Sequence, residues 1–137
     1  MVPLFNLSAS QYKESIFNDS VFARDKSRVS KVHIRAGYIV DSIQLEYDGQ
    51  YNTPVHGGSG GEAYTMEIEK DDYITEISGT VGSYDHSGDC DTIGRLTIKT
   101  KKGKIASYGM EKCFQKNEDF VYKAPSDHQI FALAVNT

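Results

Sequence analysis

The chain has 137 residues, 39% of them hydrophobic and 25% charged, with a formal net charge of -4 and a pI near 5.5. That length suits one domain with a core and is too short for two ordinary ones, and the acidic balance argues against nucleic acid as the main partner. No apolar run approaches the roughly 20 residues needed to span a bilayer, so membrane insertion is not expected.

In chain order, MVPLFNLSAS lacks the basic start and long apolar centre of a signal peptide, which points to the cytoplasm or to non-classical export. QYKESIF places Tyr12 and Ile16 four residues apart and predicts one or two helical turns. From about residue 29 the pattern is strand after strand. In VSKVHIRA, Val32 and Ile34 share one face and His33 and Arg35 the other. SIQLEY, YTMEIEK, YITEISGTVG, RLTIKT, KIASYGM, DFVYKA and HQIFALAV continue it. Turn signals separate them: YDGQ, a glycine run, KDD, SYDHSGDCD, KKGK and APSD. Short strands at a spacing near ten residues predict an all-β sandwich, barrel or prism. Neither a linker nor a low-complexity tail is visible, so residues 1–137 read as a single domain with an atypical segment at 1–28. AGYIVDSIQLEY and KDDYITEISGTV share a shape, which suggests an internal repeat.

The glycine run HGGSGG, residues 56–61, could cradle a phosphate, but that use needs a following lysine or helix start. Glu62 follows instead, then a strand pattern. From the glycines alone, a flexible hairpin connection is the simpler reading. Asp41, four residues after Gly37, alters that weighing. A polyol needs acceptors for its hydroxyl hydrogens, and a carboxylate can accept from two adjacent hydroxyls at once. Tight glycine loops add fixed backbone donors at little entropic cost. Taken alone, Asp41 is better read as an Asx-type turn before a strand.

Other motifs read more plainly. YDHSGDCD, residues 84–91, loosely resembles a calcium loop but misses the EF-hand spacing, and reads as a polar hairpin loop. Cys90 and Cys113 are two and far apart, which fits free thiols or a disulfide and does not read as a metal site. NLS (6–8) and NDS (18–20) match the glycosylation acceptor pattern. His56 reads as loop-shaping. A triad of Ser42, His33 and Asp41 would ignore strand alternation. Lys99, Lys101, Lys102 and Lys104 read as a solvated hairpin tip.

Taken together, GYIVDSIQLEYDG, TPVHGGSGG, KDDYITEISGTVG and IGRLTIKTKKGKIASYG resemble the jacalin-related lectins, in family order from about Val29 to Val135. The resemblance implies a β-prism of three Greek-key four-stranded sheets with pseudo-threefold symmetry. It also implies a sugar-binding protein that is not an enzyme and uses neither metal nor cofactor. The sugar would sit between the G-x-x-x-D loop and the glycine-rich loop. Asp41 would accept from two hydroxyls, Tyr38, Ile39 and Val40 would supply mainly backbone contacts, Gly60 and Gly61 would donate N–H groups, and Gly37 would permit the turn. Tyr38 is also a candidate to stack on the sugar.

Departures from the family pattern qualify this. The usual site near the C-terminus needs a G-x-x-x-D loop about where IFALAVNT ends, and the first glycine-rich loop is missing from the N-terminal segment. The first sheet is therefore expected to be altered at both termini. The third equivalent position is assigned to Thr75, with SYGM in place of its glycine loop, which leaves one working site. An unpaired edge would invite aggregation. PLFNLSA is a candidate strand to close it, or a second chain supplies one, which implies a homodimer. The resemblance thus predicts a mannose- or glucose-type lectin acting on glycans of glycoproteins or polysaccharides. Mannose is preferred because galactose-specific relatives usually have a processed chain. The alternative is a β-prism scaffold or interaction module that has lost useful sugar binding.

Overall fold

The computed structural model describes residues 4–6, 16–18, 24–84, 92–112 and 114–136. Among these are twelve strands and no helix. They are β1 (Leu4–Asn6), β2 (Ile16–Asn18), β3 (Val29–Ala36), β4 (Val40–Tyr47), β5 (Tyr51–Asn52), β6 (His56–Gly57), β7 (Glu62–Glu67), β8 (Ile74–Tyr84), β9 (Thr92–Thr100), β10 (Ile105–Tyr108), β11 (Phe114–Lys123) and β12 (Ala132–Asn136). The loop at 85–91, which carries the calcium-like reading, lies outside the described residues, as do Cys90 and Cys113. Each glycosylation motif is described only in part, at Asn6 and Asn18.

Strands β7-β3-β4, with β5 and β6 on the outer edge of β4, form one Greek key, and β11-β8-β9-β10 form another. Each has its fourth element returning beside its first, the 4-1-2-3 order of that motif. The register joins the two keys at Val40↔Ile93. The third sheet, β1-β12-β2, is built from both ends of the chain.

The segment expected to close that sheet does so. Leu4–Asn6 of PLFNLSA pairs in parallel with β12, Leu4↔Ala132 to Asn6↔Ala134. The helical expectation for QYKESIF is corrected at its end: Ile16–Asn18 is strand, antiparallel to β12. One isolated helical turn fixes several residues for few hydrogen bonds, whereas these residues find a ready ladder on β12. Residues 12–15 lie outside the described residues.

The period-2 pattern sets the core. Val32 and Ile34 from β3, Ile43, Leu45 and Tyr47 from β4, Met66 from β7, Ile77 from β8, and Leu96 and Ile98 from β9 form one buried cluster with Ile130 and Phe131 before β12. Each such side chain contributes about 1.5–3 kcal/mol on burial. Tyr47 ties the third sheet to the others: its hydroxyl donates to the Phe131 carbonyl and its ring centroid lies 5.2 Å from that of Phe131. The YDGQ turn has Asp48 at φ 54° and Gly49 at φ 73°, the paired positive φ of a tight hairpin. The Asp48 carboxylate accepts from the Ser27 and Arg28 amides.

Candidate functional site

Ala36 is the residue that brings the two loops together. It ends β3, pairs with Val40 of β4 on one side and with Glu62 of β7 on the other. The turn Gly37–Ile39 therefore emerges beside the end of the glycine run, although 18 residues separate Gly37 from His56. The Gly37 N–H donates to the Ile39 carbonyl at 2.9 Å, and the Gly58 N–H donates to the Asp41 carbonyl at 2.8 Å.

The Asp41 carboxylate rests on the bare Cα positions of the last two glycines. A Cβ on Gly60 would lie 2.9 Å from Asp41 Oδ1, and one on Gly61 would lie 2.6 Å from Oδ2 and 2.6 Å from the Ala36 carbonyl carbon. Gly61 also has φ +70°, which a residue with a side chain adopts only at a cost. Burial raises the Asp41 carboxyl above the ordinary aspartate range, and the Arg35 charge opposes that rise.

Arg35 holds the glycine loop. Its Nε donates to the carbonyls of Ser59 and Gly60, both at 3.1 Å, and its Nη2 donates to the Gly61 carbonyl at 2.8 Å. In a trans peptide the N–H points opposite the preceding C=O. The clamp therefore turns the Gly60 and Gly61 N–H groups away from the guanidinium. Sequence reading missed this role. The available signal was alternation, which put Arg35 on the outer face one residue before the turn.

Tyr38 is 44% exposed, with the Lys112 ammonium 4.8 Å from its ring centroid and its carbonyl accepting from the Met110 N–H at 3.3 Å. One face of the ring is thus engaged by a cation. Ile39 is half-buried, and Val40 packs on the core. His56 is buried and pairs with Ile43. His33 contacts Thr65 at 3.1 Å and lies 3.7 Å from Glu46, contacts that belong to the sheet face. Lys102 pairs with Asp71 at 2.5 Å and Lys99 with Glu76 at 3.3 Å, so ion pairs anchor much of the lysine-rich tip.

The registers of the two Greek keys correct the third-position assignment. In the first, Ala36↔Val40 is followed by a bulge, then Arg35↔Ser42 and Ile34↔Ile43. In the second, Val81↔Ile93 is followed by a bulge, then Thr80↔Arg95 and Gly79↔Leu96. Asp41, between Val40 and Ser42, thus corresponds to Gly94, between Ile93 and Arg95. Thr75 sits near Ile74↔Thr100, at the opposite end of β8 from the Val81↔Ile93 pair. A Cβ on Gly94 would lie 2.7 Å from the Phe114 ring. The second key has no carboxylate at that position, and an aromatic ring fills the space. The same registers replace the suspected repeat: β4 matches β9 and β3 matches β8, whereas the sequence comparison had matched β4 with β8.

The fold and the paired loops are those of a lectin-type domain. The family model for the jacalin-like lectin domain matches residues 14–134. The chain belongs to the jacalin-like lectin family, whose members bind carbohydrate and are not enzymes. It is 33% identical over 104 residues to jacalin-related lectin 36 of Arabidopsis thaliana, covering 75% of this chain and 21% of that protein. It is 37% identical over 87 residues to horcolin of Hordeum vulgare, covering 60% and 58%. The chain thus spans about a fifth of the first relative and somewhat over half of the second. Artocarpin, described as a lectin with mannose specificity, superposes with a TM-score of 0.74 at 17% identity, covering 95% of this chain and 86% of artocarpin. Malaysian banana lectin gives 0.68 at 23% identity, covering 91% and 82%. The all-β architecture is the β-prism of these lectins.

Proposed function

We propose that this chain binds mannose- or glucose-type glycans through one site, formed by Gly37–Asp41 with Gly60 and Gly61. The observation that carries the reading is the Asp41 carboxylate lying against the Cα positions of Gly60 and Gly61. Only bare glycines leave room there for both the carboxylate and an approaching hydroxyl. Asp41 is the acceptor for two adjacent hydroxyls, and the Gly60 and Gly61 amides donate to sugar oxygens. The mannose specificity stated for artocarpin supports mannose over galactose. Gly94 in place of a second aspartate supports a single site of this kind among the described residues.

Titration with methyl α-mannoside and methyl α-galactoside tests the reading. The expected result is binding of the mannoside and its abolition by Asp41→Ala with the fold retained. Loss of two charge-assisted bonds costs on the order of 3 kcal/mol, against about -4 kcal/mol for a millimolar contact. Unchanged binding by the variant would place the sugar elsewhere. The further proposal of a homodimer rests on avidity: linking weak sites raises apparent affinity by roughly 10² to 10⁴. Since β12 has partners on both sides within one chain, such a dimer would use a surface other than an exchanged strand, and sedimentation of the purified chain tests it.

A further inference from the structure

We infer that the groove between β7 and β10 is a second saccharide subsite, taking the sugar unit next to the one held at Asp41. The inference rests on the Asp41 reading and extends it from a monosaccharide to an oligosaccharide.

The groove has a volume of about 480 Å³, within the range of clefts that hold small ligands. Tyr38, Tyr64 and Tyr108 line it, and the rings of Tyr64 and Tyr108 stand 5.7 Å apart at 48°. Tyr64 calls for a reason. It lies opposite Ile34 in the register and shares its face with Met66, which is buried. Yet Tyr64 remains 43% exposed, because β7 is an edge strand and the core ends below it. An aromatic ring on a core-facing position that opens to solvent offers an apolar plate. Its hydroxyl donates to Glu62 Oε2 at 3.1 Å, which sets the exposed Glu62 carboxylate at the edge of the plate, where it can accept from a sugar hydroxyl.

A pyranose has an apolar C–H face and a rim of hydroxyls. Aromatic plates with a few polar groups at their edge match it in kind. The occupant is set by continuity. Gly37, Tyr38 and Gly61 line the groove and are also components of the Asp41 site. A glycan whose terminal unit sits at Asp41 therefore has its next unit directed along this groove.

The test is calorimetric titration of the full chain, of Tyr64→Ala and of Tyr64→Phe, each with methyl α-mannoside and with mannotriose. The unaltered chain is expected to bind mannotriose about tenfold tighter than the monosaccharide, the ratio of roughly one stacking contact with its buried area. Tyr64→Ala should remove most of that ratio and leave methyl α-mannoside binding unchanged, and Tyr64→Phe should keep it. Equal affinity for the two sugars in the unaltered chain overturns the groove and spares the Asp41 site. Equal weakening of both sugars by Tyr64→Ala overturns it as well. Binding of neither sugar by the unaltered chain overturns the Asp41 reading and this inference with it.

Discussion

Gly61→Ala is the most demanding test of the site, because the structure allows its effect to be worked out. The new Cβ would stand 2.6 Å from Asp41 Oδ2, 2.6 Å from the Ala36 carbonyl carbon and 2.7 Å from the Ala36 oxygen, where ordinary contact begins near 3.4 Å. Ala36 is paired on both sides, to Val40 and to Glu62, so the backbone yields little. The loop and the Asp41 side chain must move. Left-handed backbone costs an alanine roughly 1–2 kcal/mol, and relieving the overpacking costs about 1–3 kcal/mol. The summed loss of a few kcal/mol should lower the melting temperature by roughly 10 °C. For sugar binding, a displaced carboxylate forfeits on the order of 3 kcal/mol, about a hundredfold, which takes a millimolar contact below detection. Gly58→Ala is the matched control. It lies in the same run, would meet nothing within 4 Å and has no left-handed φ, so binding and stability should hold. Calorimetric titration with methyl α-mannoside and thermal melting of both variants decide the matter. If Gly61→Ala binds as the unaltered chain does, the carboxylate and these glycines do not form the site.

The pH dependence has a defined sign. Asp41 binds as a carboxylate and burial raises its pKa, so acidification should weaken sugar binding at a pH above the ordinary aspartate range. Arg35→Met removes the opposing charge and should move that midpoint further up, which titration across pH would show. A raised carboxyl pKa means that ionisation opposes folding: this group's contribution is most favourable in acid and declines as pH rises through the ordinary value to the folded one. Asp41→Asn should accordingly abolish binding while melting no lower than the unaltered chain at neutral pH. Asp72 behaves in the opposite way. Burial works to raise its pKa, but bonds from Thr100 and from the Lys102 and Tyr73 amides outweigh burial and hold it low. Its contribution is present above the ordinary aspartate pKa and is lost as pH falls through the lowered one. Asp72→Ala should cost about 2–3 kcal/mol by denaturant unfolding at pH 7. Deleting residues 1–18 strips β12 of both partners and should produce aggregation visible by light scattering; a monomeric, fully folded product would show that β12 needs neither neighbour.

Strand existence was legible because alternation and burial share one cause. Val32, Ile34, Ile43, Leu45, Leu96 and Ile98 all fall where period 2 puts them. The symmetry was only half legible. The match of AGYIVDSIQLEY with KDDYITEISGTV compared turn composition, but the true equivalence is one of register. It appears only when the bulges at Arg35/Ala36 and Thr80/Val81 are aligned. A bulge leaves little mark in composition, since any residue can occupy the extra position. For that reason Gly94 could not be found from the chain alone, and Thr75 took its place. The short β2 was misread because three residues carry too few periods to separate 3.6 from 2.

The site followed a different logic. Asp41 and the glycines were readable because each is chemically unusual for its position: a carboxylate at a strand start, and a run that surrenders side chains. Arg35 and Tyr64 looked ordinary, one a charged residue on an outward face and the other an aromatic in a strand. What singles them out is where the strands end. Arg35 is the last outward residue before β3 turns, so its guanidinium reaches three carbonyls of a loop that begins two dozen residues later. Tyr64 is on the core-facing side of an edge strand just past the last core layer. Both depend on the length of β3 relative to β7, a quantity fixed by pairing of Ala36 to Val40 and Glu62 together. Shortening β3 by one residue would reverse the faces of everything beyond it, carrying Arg35 inward and separating the clamp from the glycines. The residues that recognise ligand are thus set by composition, and the residues that hold them in place are set by register.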